Sequence, residues 1–150
     1  MSKPRGTPAA GVELGDREVR GVVAGHGDFA DGMISAVQQI SGRGEAFVAL
    51  SNRGLGADEI EARLRAILAE TGAHAVFTDL PAGSVTIVAR RVARDHPGLV
   101  VVTGTNLATL LDFVFHGELP AGEAAEQACD KGRRSIVVHG STQREGSGGD

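Results

Sequence analysis

The chain predicts an α/β protein: a doubly wound, mainly parallel four-stranded sheet in the order 2-1-3-4, with helices on both faces and a short extra strand at the C-terminal edge. Three observations predict it. Short apolar runs alternate with segments of helical period through the middle of the chain. Those runs are almost continuously apolar, Leu99-Val100-Val101-Val102 most plainly, as in strands covered on both faces. The length of 150 residues suits one such domain with a single core and leaves too little chain for two.

Taken in order, Val19–Ala24 reads as the first strand. Asp28 can cap the helix that follows, in which Phe29, Met33, Val37 and Ile40 are spaced to share one side. Ala46–Leu50 is the second strand, and the turn Asn52-Arg53-Gly54-Leu55-Gly56 leads to the clearest helix. Its apolar set Ile60, Leu64, Ile67 and Leu68 follows the i, i+4, i+7, i+8 pattern, Glu61 and Arg65 can pair outside it, and Gly72 ends it. Ala75–Thr78 is the third strand. Ser84 can cap a third helix with Val85, Val88, Ala89 and Val92 on one stripe, although Ser84–Val88 is also β-prone. After the fourth strand, Leu99–Val102, Asn106 caps a helix carrying Leu107, Leu110, Leu111 and Val114. Residues 121–130 are weakly helical through Ala124, Ala125 and Ala128, and Ser135–Val138 is the short edge strand. Residues 1–17 and 141–150 are rich in Gly and polar groups without a period, and read as a flexible N-terminal tail and a disordered C-terminal tail around a domain at 18–140.

Composition narrows the function classes. Apolar residues make up 41% but aromatic residues only 3%, with no Trp or Tyr, so Val, Leu, Ile and Ala must build the core and single-stranded nucleic acid finds no stacking platform. A net charge of −4 offers no electrostatic reason for a nucleic-acid partner. Cys129 is the sole cysteine, which rules out an internal disulfide or a cysteine-rich zinc site. No apolar stretch approaches the roughly 20 residues of a membrane span, and Met1–Gly6 lacks the apolar core of a secretory signal. A soluble cytoplasmic domain is the expectation.

The chemistry concentrates at two strand ends. His26 stands directly after the first strand, between Gly25 and Gly27, where the backbone can turn sharply and leave the imidazole clear. Asp79 ends the third strand, and a helix begins at Gly83-Ser84. In a doubly wound sheet ligands sit beyond the carboxyl ends of the strands where the order reverses, and with order 2-1-3-4 the ends of strands one and three are neighbours there. An imidazole can take a phosphoryl group on one ring nitrogen if a carboxylate holds the proton on the other. The candidate catalytic pair is therefore His26 and Asp79. Gly27, Gly83 and Ser84 are the candidate phosphate-binding residues, through a hydroxyl, close backbone approach and amides at a helix start. This arrangement needs no metal and no cofactor.

Blander readings exist for each residue. A Gly-His-Gly run also suits an exposed turn, Asp79 and Ser84 can be simple caps, and Asp28 reads as a cap and nothing more. His74, His96, His116 and His139 fall at element boundaries and read as solvated or structural, Cys129 as packing, and Arg90-Arg91 and Arg133-Arg134 as solvated faces. Other phosphate chemistries fit worse. No Gly-x-x-x-x-Gly-Lys-Ser/Thr loop is present, and Ala30 stands where a dinucleotide fingerprint needs its third glycine. A receiver domain would need paired acids at the end of strand one, where this chain has Ala24-Gly25-His26.

The segment Ala24–Met33, reading AGHGDFADGM, resembles the active-site segment of the mannose-type (type-4) enzyme IIA domains of the bacterial phosphoenolpyruvate-dependent sugar phosphotransferase system. Phe77–Ser84 resembles the second motif of that family and Gly104-Thr105-Asn106-Leu107 its third, so the likeness spans roughly residues 19–139. The wording is nearest the N-acetylgalactosamine branch. The resemblance implies that His26 accepts phosphate from the phosphocarrier HPr and passes it to an enzyme IIB domain, and that Asp79 orients the ring. It also implies that Ser84 and nearby amides bind the phosphoryl oxygens. It implies a homodimer in which the last strand, here Ser135–Val138, is exchanged, and contact with the membrane only through a transporter complex. Ala82 and Val85 depart from the second motif, usually Gly-Gly-Ser/Thr-Pro, and Ala108-Thr109 from the Pro-Met that usually follows the third. The departures leave the sugar and the IIB partner open. A regulatory phosphohistidine module that reports carbon supply without transport is the alternative, and a ligand-binding domain that is never phosphorylated is a third reading.

Overall fold

The computed structural model describes residues 18–140, so both expected tails, 1–17 and 141–150, lie outside the described residues. Four strands form one parallel sheet: β1 (Gly21–Gly25), β2 (Phe47–Ser51), β3 (Ala75–Thr78) and β4 (Val100–Val102), in the order β2-β1-β3-β4. Five α-helices accompany them: α1 (Phe29–Ser41), α2 (Ala57–Thr71), α3 (Ser84–Arg94), α4 (Leu107–Phe115) and α5 (Ala121–Arg134). Class, strand order and layering are those expected from the alternating pattern.

Why the strands lack an alternating hydrophobic signature follows from their two covered faces. Val22 and Val76 point to one side, where Ile60, Leu64 and Leu68 of α2 and Val85, Val88 and Val92 of α3 pack on them. Val23 and Phe77 point to the other, against Val37 of α1, Leu110 and Phe113 of α4, and Ala124, Ala125 and Ala128 of α5. The scarce aromatic residues gather on this second face. Phe77 sits edge-on to Phe113 and to Phe47, with ring centroids 4.9 and 5.8 Å apart.

Helix ends follow local chemistry. The Asn106 carboxamide accepts from the Thr109 amide at 3.0 Å, and Gly72 closes α2 in the left-handed conformation, φ 73°. Three expectations are corrected. Ser84 is the first residue of α3, not its cap; Gly83 holds the cap position at φ 102°, which a side chain there would resist. Ile40 is 59% exposed, because the buried stripe of α1 runs through Ala30 and Val37 and Ile40 falls beside it.

The third correction concerns Ser135–Val138, which is not a strand. Its first two amides still donate to the last carbonyls of α5, from Ser135 to Lys131 and from Ile136 to Arg133. Ile136, Val137 and Val138 then stand 73%, 64% and 78% exposed. Strand propensity needs a ladder to express it, and leaving α5 the segment meets no neighbouring strand among the described residues. Among the described residues no helix is long and apolar enough to cross a membrane.

Candidate functional site

Register brings the two strand ends together. Ala24 of β1 lies opposite Thr78 of β3, so the next residues, Gly25 and Asp79, leave the sheet side by side and His26 follows. Asp79 Oδ2 accepts two hydrogen bonds from His26, one from its backbone N–H at 2.8 Å and one from ring Nδ1 at 2.8 Å. Two residues 53 positions apart in the chain meet in a contact made twice by one carboxylate oxygen.

That geometry sets the protonation states. Burial pushes the Asp79 carboxyl up, but the hydrogen bonds from the His26 amide and ring, with the charge of the ring, outweigh it and hold the carboxyl below its ordinary value. An ionised carboxylate can only accept, so Nδ1 is the protonated donor of this contact, and Nε2 is the ring nitrogen left outside it. The His26 side chain is 49% exposed and that of Asp79 only 12%. Asp79 Oδ1 is buried and has no hydrogen-bond partner among the described residues.

Glycine at position 25 has a specific cause here. A Cβ at Gly25 would lie 2.8 Å from Asp79 Oδ2 and 2.7 Å from the Phe29 ring, so any larger residue would push the carboxylate off the imidazole. Gly27 turns the chain at φ 55°. A Cβ built on Gly83 would lie 3.9 Å from His26 Cε1, which places the imidazole over the start of α3, where Ser84 is exposed. The structure thus gathers His26, Asp79, Gly27, Gly83 and Ser84 at the carboxyl end of β1 and β3.

Two neighbours were missed by the sequence reading. Ser51, at the end of β2, donates its hydroxyl to the Gly27 carbonyl at 2.8 Å and accepts from the Arg53 amide at 3.1 Å, while the Asn52 amide donates to the Gly25 carbonyl at 3.1 Å. These bonds hold the histidine loop from the side opposite Asp79. Arg53 pairs with Asp28 at 3.0 Å on the surface, so Asp28 is not the side-chain cap it was expected to be. Order 2-1-3-4 was the available signal, since it makes the end of β2 the other neighbour of the end of β1.

The remaining candidates lie elsewhere. His116 Nδ1 is 2.9 Å from the Asp112 carbonyl, Arg91 pairs with Glu61, and Arg133 with Asp130. Half-buried Cys129 borders a groove of about 530 Å³ between the outer edge of β4 and α5, which does not include His26. Among the described residues no group of three His, Cys, Asp or Glu side chains could hold a metal ion.

A family model described as "PTS system fructose IIA component", EIIA-man, matches residues 21–129. The chain belongs to this family. Solved structures agree with the fold of the IIA domain. A mannose/sorbose-specific IIA subunit of the phosphotransferase system from Enterococcus faecalis superposes with a TM-score of 0.72 at 25% identity, covering 83% of this chain and 96% of that one. Phosphotransferase system component EIIA from Streptococcus agalactiae gives 0.73 at 21% identity, covering 80% and 96%. The IIA protein associated with the fucose utilization operon of Streptococcus pneumoniae gives 0.68 at 21%, covering 81% and 93%. No curated protein sequence matches the chain.

Proposed function

We propose that this IIA domain, residues 18–140, accepts a phosphoryl group from HPr on Nε2 of His26 and passes it to an enzyme IIB domain, in the cytoplasm and on the path of sugar uptake. The observation that carries the reading is the 2.8 Å contact between His26 Nδ1 and Asp79, which leaves Nε2 as the ring's free nucleophile. In the forward step the Nε2 lone pair forms a bond to phosphorus while the phosphorus–nitrogen bond of the donor phosphohistidine breaks. The Nδ1 proton stays on the ring, where Asp79 balances the positive charge that develops. Ser84 and the amides opening α3, with Gly27 and Gly83 permitting close approach, receive the phosphoryl oxygens. Membrane contact is indirect, through the transporter, and no nucleic acid takes part.

The reading includes a homodimer. β4 is a sheet edge with an open groove beside it, and Ile136–Val138 is an exposed β-prone segment with no strand to join among the described residues. Exchange of Ser135–Val138 between two copies satisfies both.

The test is labelling by phosphoenolpyruvate, enzyme I and HPr, followed by a chase with candidate IIB proteins, N-acetylgalactosamine-type first. Wild type should take label and His26→Ala none; undiminished label on His26→Ala would move the acceptor elsewhere. Label that is never discharged to a IIB protein would favour the regulatory module over transport.

A further inference from the structure

The last residue of β3 breaks the apolar pattern of a central strand. Thr78 is fully buried and Thr86, in the first turn of α3, is 1% exposed. Their hydroxyl oxygens are 2.7 Å apart. Thr86 also donates to the Leu80 carbonyl at 2.6 Å, and Thr78 Oγ1 lies 3.3 Å from the same oxygen. Valine has nearly the same shape, so packing alone gives no reason to bury two hydroxyls there; they are tolerated because each is hydrogen-bonded. With one proton apiece, the two hydroxyls form a relay that ends on the Leu80 carbonyl.

That carbonyl belongs to the loop on which the site is built. Asp79 lies between Thr78 and Leu80, and Pro81, Ala82 and Gly83 then lead to Ser84. Pro81 has no N–H to offer, and residues 80–83 are exposed. At the far end Gly83 is held by the Ile87 amide at 2.9 Å. No other hydrogen bond reaches the backbone of residues 80–82 among the described residues.

We propose that Thr86, acting with Thr78, is a positioning residue for phosphoryl transfer: it anchors the Leu80 carbonyl and thereby fixes both the Asp79 carboxylate against His26 and the helix start that faces the ring. The inference rests on His26 as the acceptor. Neither threonine touches the ring, so their effect passes through the loop. Misplacement of a reacting group by about 1 Å can cost on the order of a hundredfold in rate.

The experiment uses the full-length protein with Thr86→Val, Thr86→Ser and, as a second probe of the relay, Thr78→Val. Two quantities are read: the rate of label transfer from phospho-HPr, and the ring ¹⁵N spectrum of His26 at neutral pH, which reports the tautomer. Wild type and Thr86→Ser should show Nδ1-protonated His26 and transfer within about threefold of each other. Thr86→Val and Thr78→Val should fold, lose at least tenfold in rate, and give a mixed-tautomer spectrum. Wild-type rate and spectrum in both valine variants, even with a lowered melting temperature, would overturn the proposal and leave the pair a purely structural feature. If wild type takes no label, the acceptor assignment fails, while the ring spectra still decide whether the pair positions Asp79.

Discussion

At the residue scale the site depends on one carboxylate oxygen that serves two donors of His26. Because those bonds hold the Asp79 carboxyl below its ordinary value, its native pKa is lower than that in the unfolded chain, about 3.9. A depressed carboxyl contributes stability that is complete above the unfolded pKa and is lost as pH falls through the folded one. Asp79→Asn should therefore cost about 1 kcal/mol at neutral pH, since Asn keeps a neutral acceptor but loses the charge. The gap between variant and wild type should close as the pH is lowered from about 5 towards 2. Denaturant unfolding of both proteins across that range checks it; a gap independent of pH would mean that charge is not what Asp79 contributes. His26 and Asp79 were legible in the sequence because glycines and apolar runs mark strand ends. The role of Gly25 was not, because only the fold brings a carboxylate and a phenyl ring to where its Cβ would be.

At the scale of elements, periodicity located the five α-helices and placed all four parallel strands within a residue or two, but it stopped α5 at residue 130, four short of its end at Arg134. It undervalued α5, whose small Ala124, Ala125 and Ala128 give a weak apolar signal yet are buried against α4 and the sheet. Gly132 explains how the two helices come so close. A Cβ there would overlap the Thr109 hydroxyl and approach Asn106 Oδ1 to 3.0 Å, while the Asn106 carboxamide donates to the Gly132 carbonyl at 3.0 Å. Gly132→Ala sets two effects against each other. Helix propensity favours alanine by about 1 kcal/mol, and overpacking against two hydrogen-bonded side chains costs about 1–3 kcal/mol. The overlap is with the backbone-near atoms of a β-branched residue, which cannot swing away, so the net change should be destabilising. Thermal melts should show a melting temperature lower by several degrees; an unchanged or raised value would mean that α5 has room to shift.

At the scale of the whole molecule the sheet has two edges, β2 and β4, and the groove beside β4 is where an added strand would lie. Three exposed apolar side chains in a row, Ile136, Val137 and Val138, are a poor fit to a lone chain in water. On the proposed strand exchange, the full-length protein should sediment as a dimer in analytical ultracentrifugation and a protein lacking residues 135–150 as a monomer, with circular dichroism retained. A full-length protein that sediments as a monomer at micromolar concentration would end the exchanged-strand reading.

The sequence by itself determined what is local: the alternation of strand and helix, the two covered faces of the sheet, and the histidine and aspartate at strand ends. These follow from side-chain spacing and from the turn chemistry of glycine, both one-dimensional properties. Tertiary structure alone decided that Asp79 meets His26 twice, that Ser51 clamps the loop from behind, that Thr78 and Thr86 share a buried relay, and that Ser135–Val138 joins no strand among the described residues. Each of these depends on strand register and on which edge is vacant, and both are set when distant segments pack.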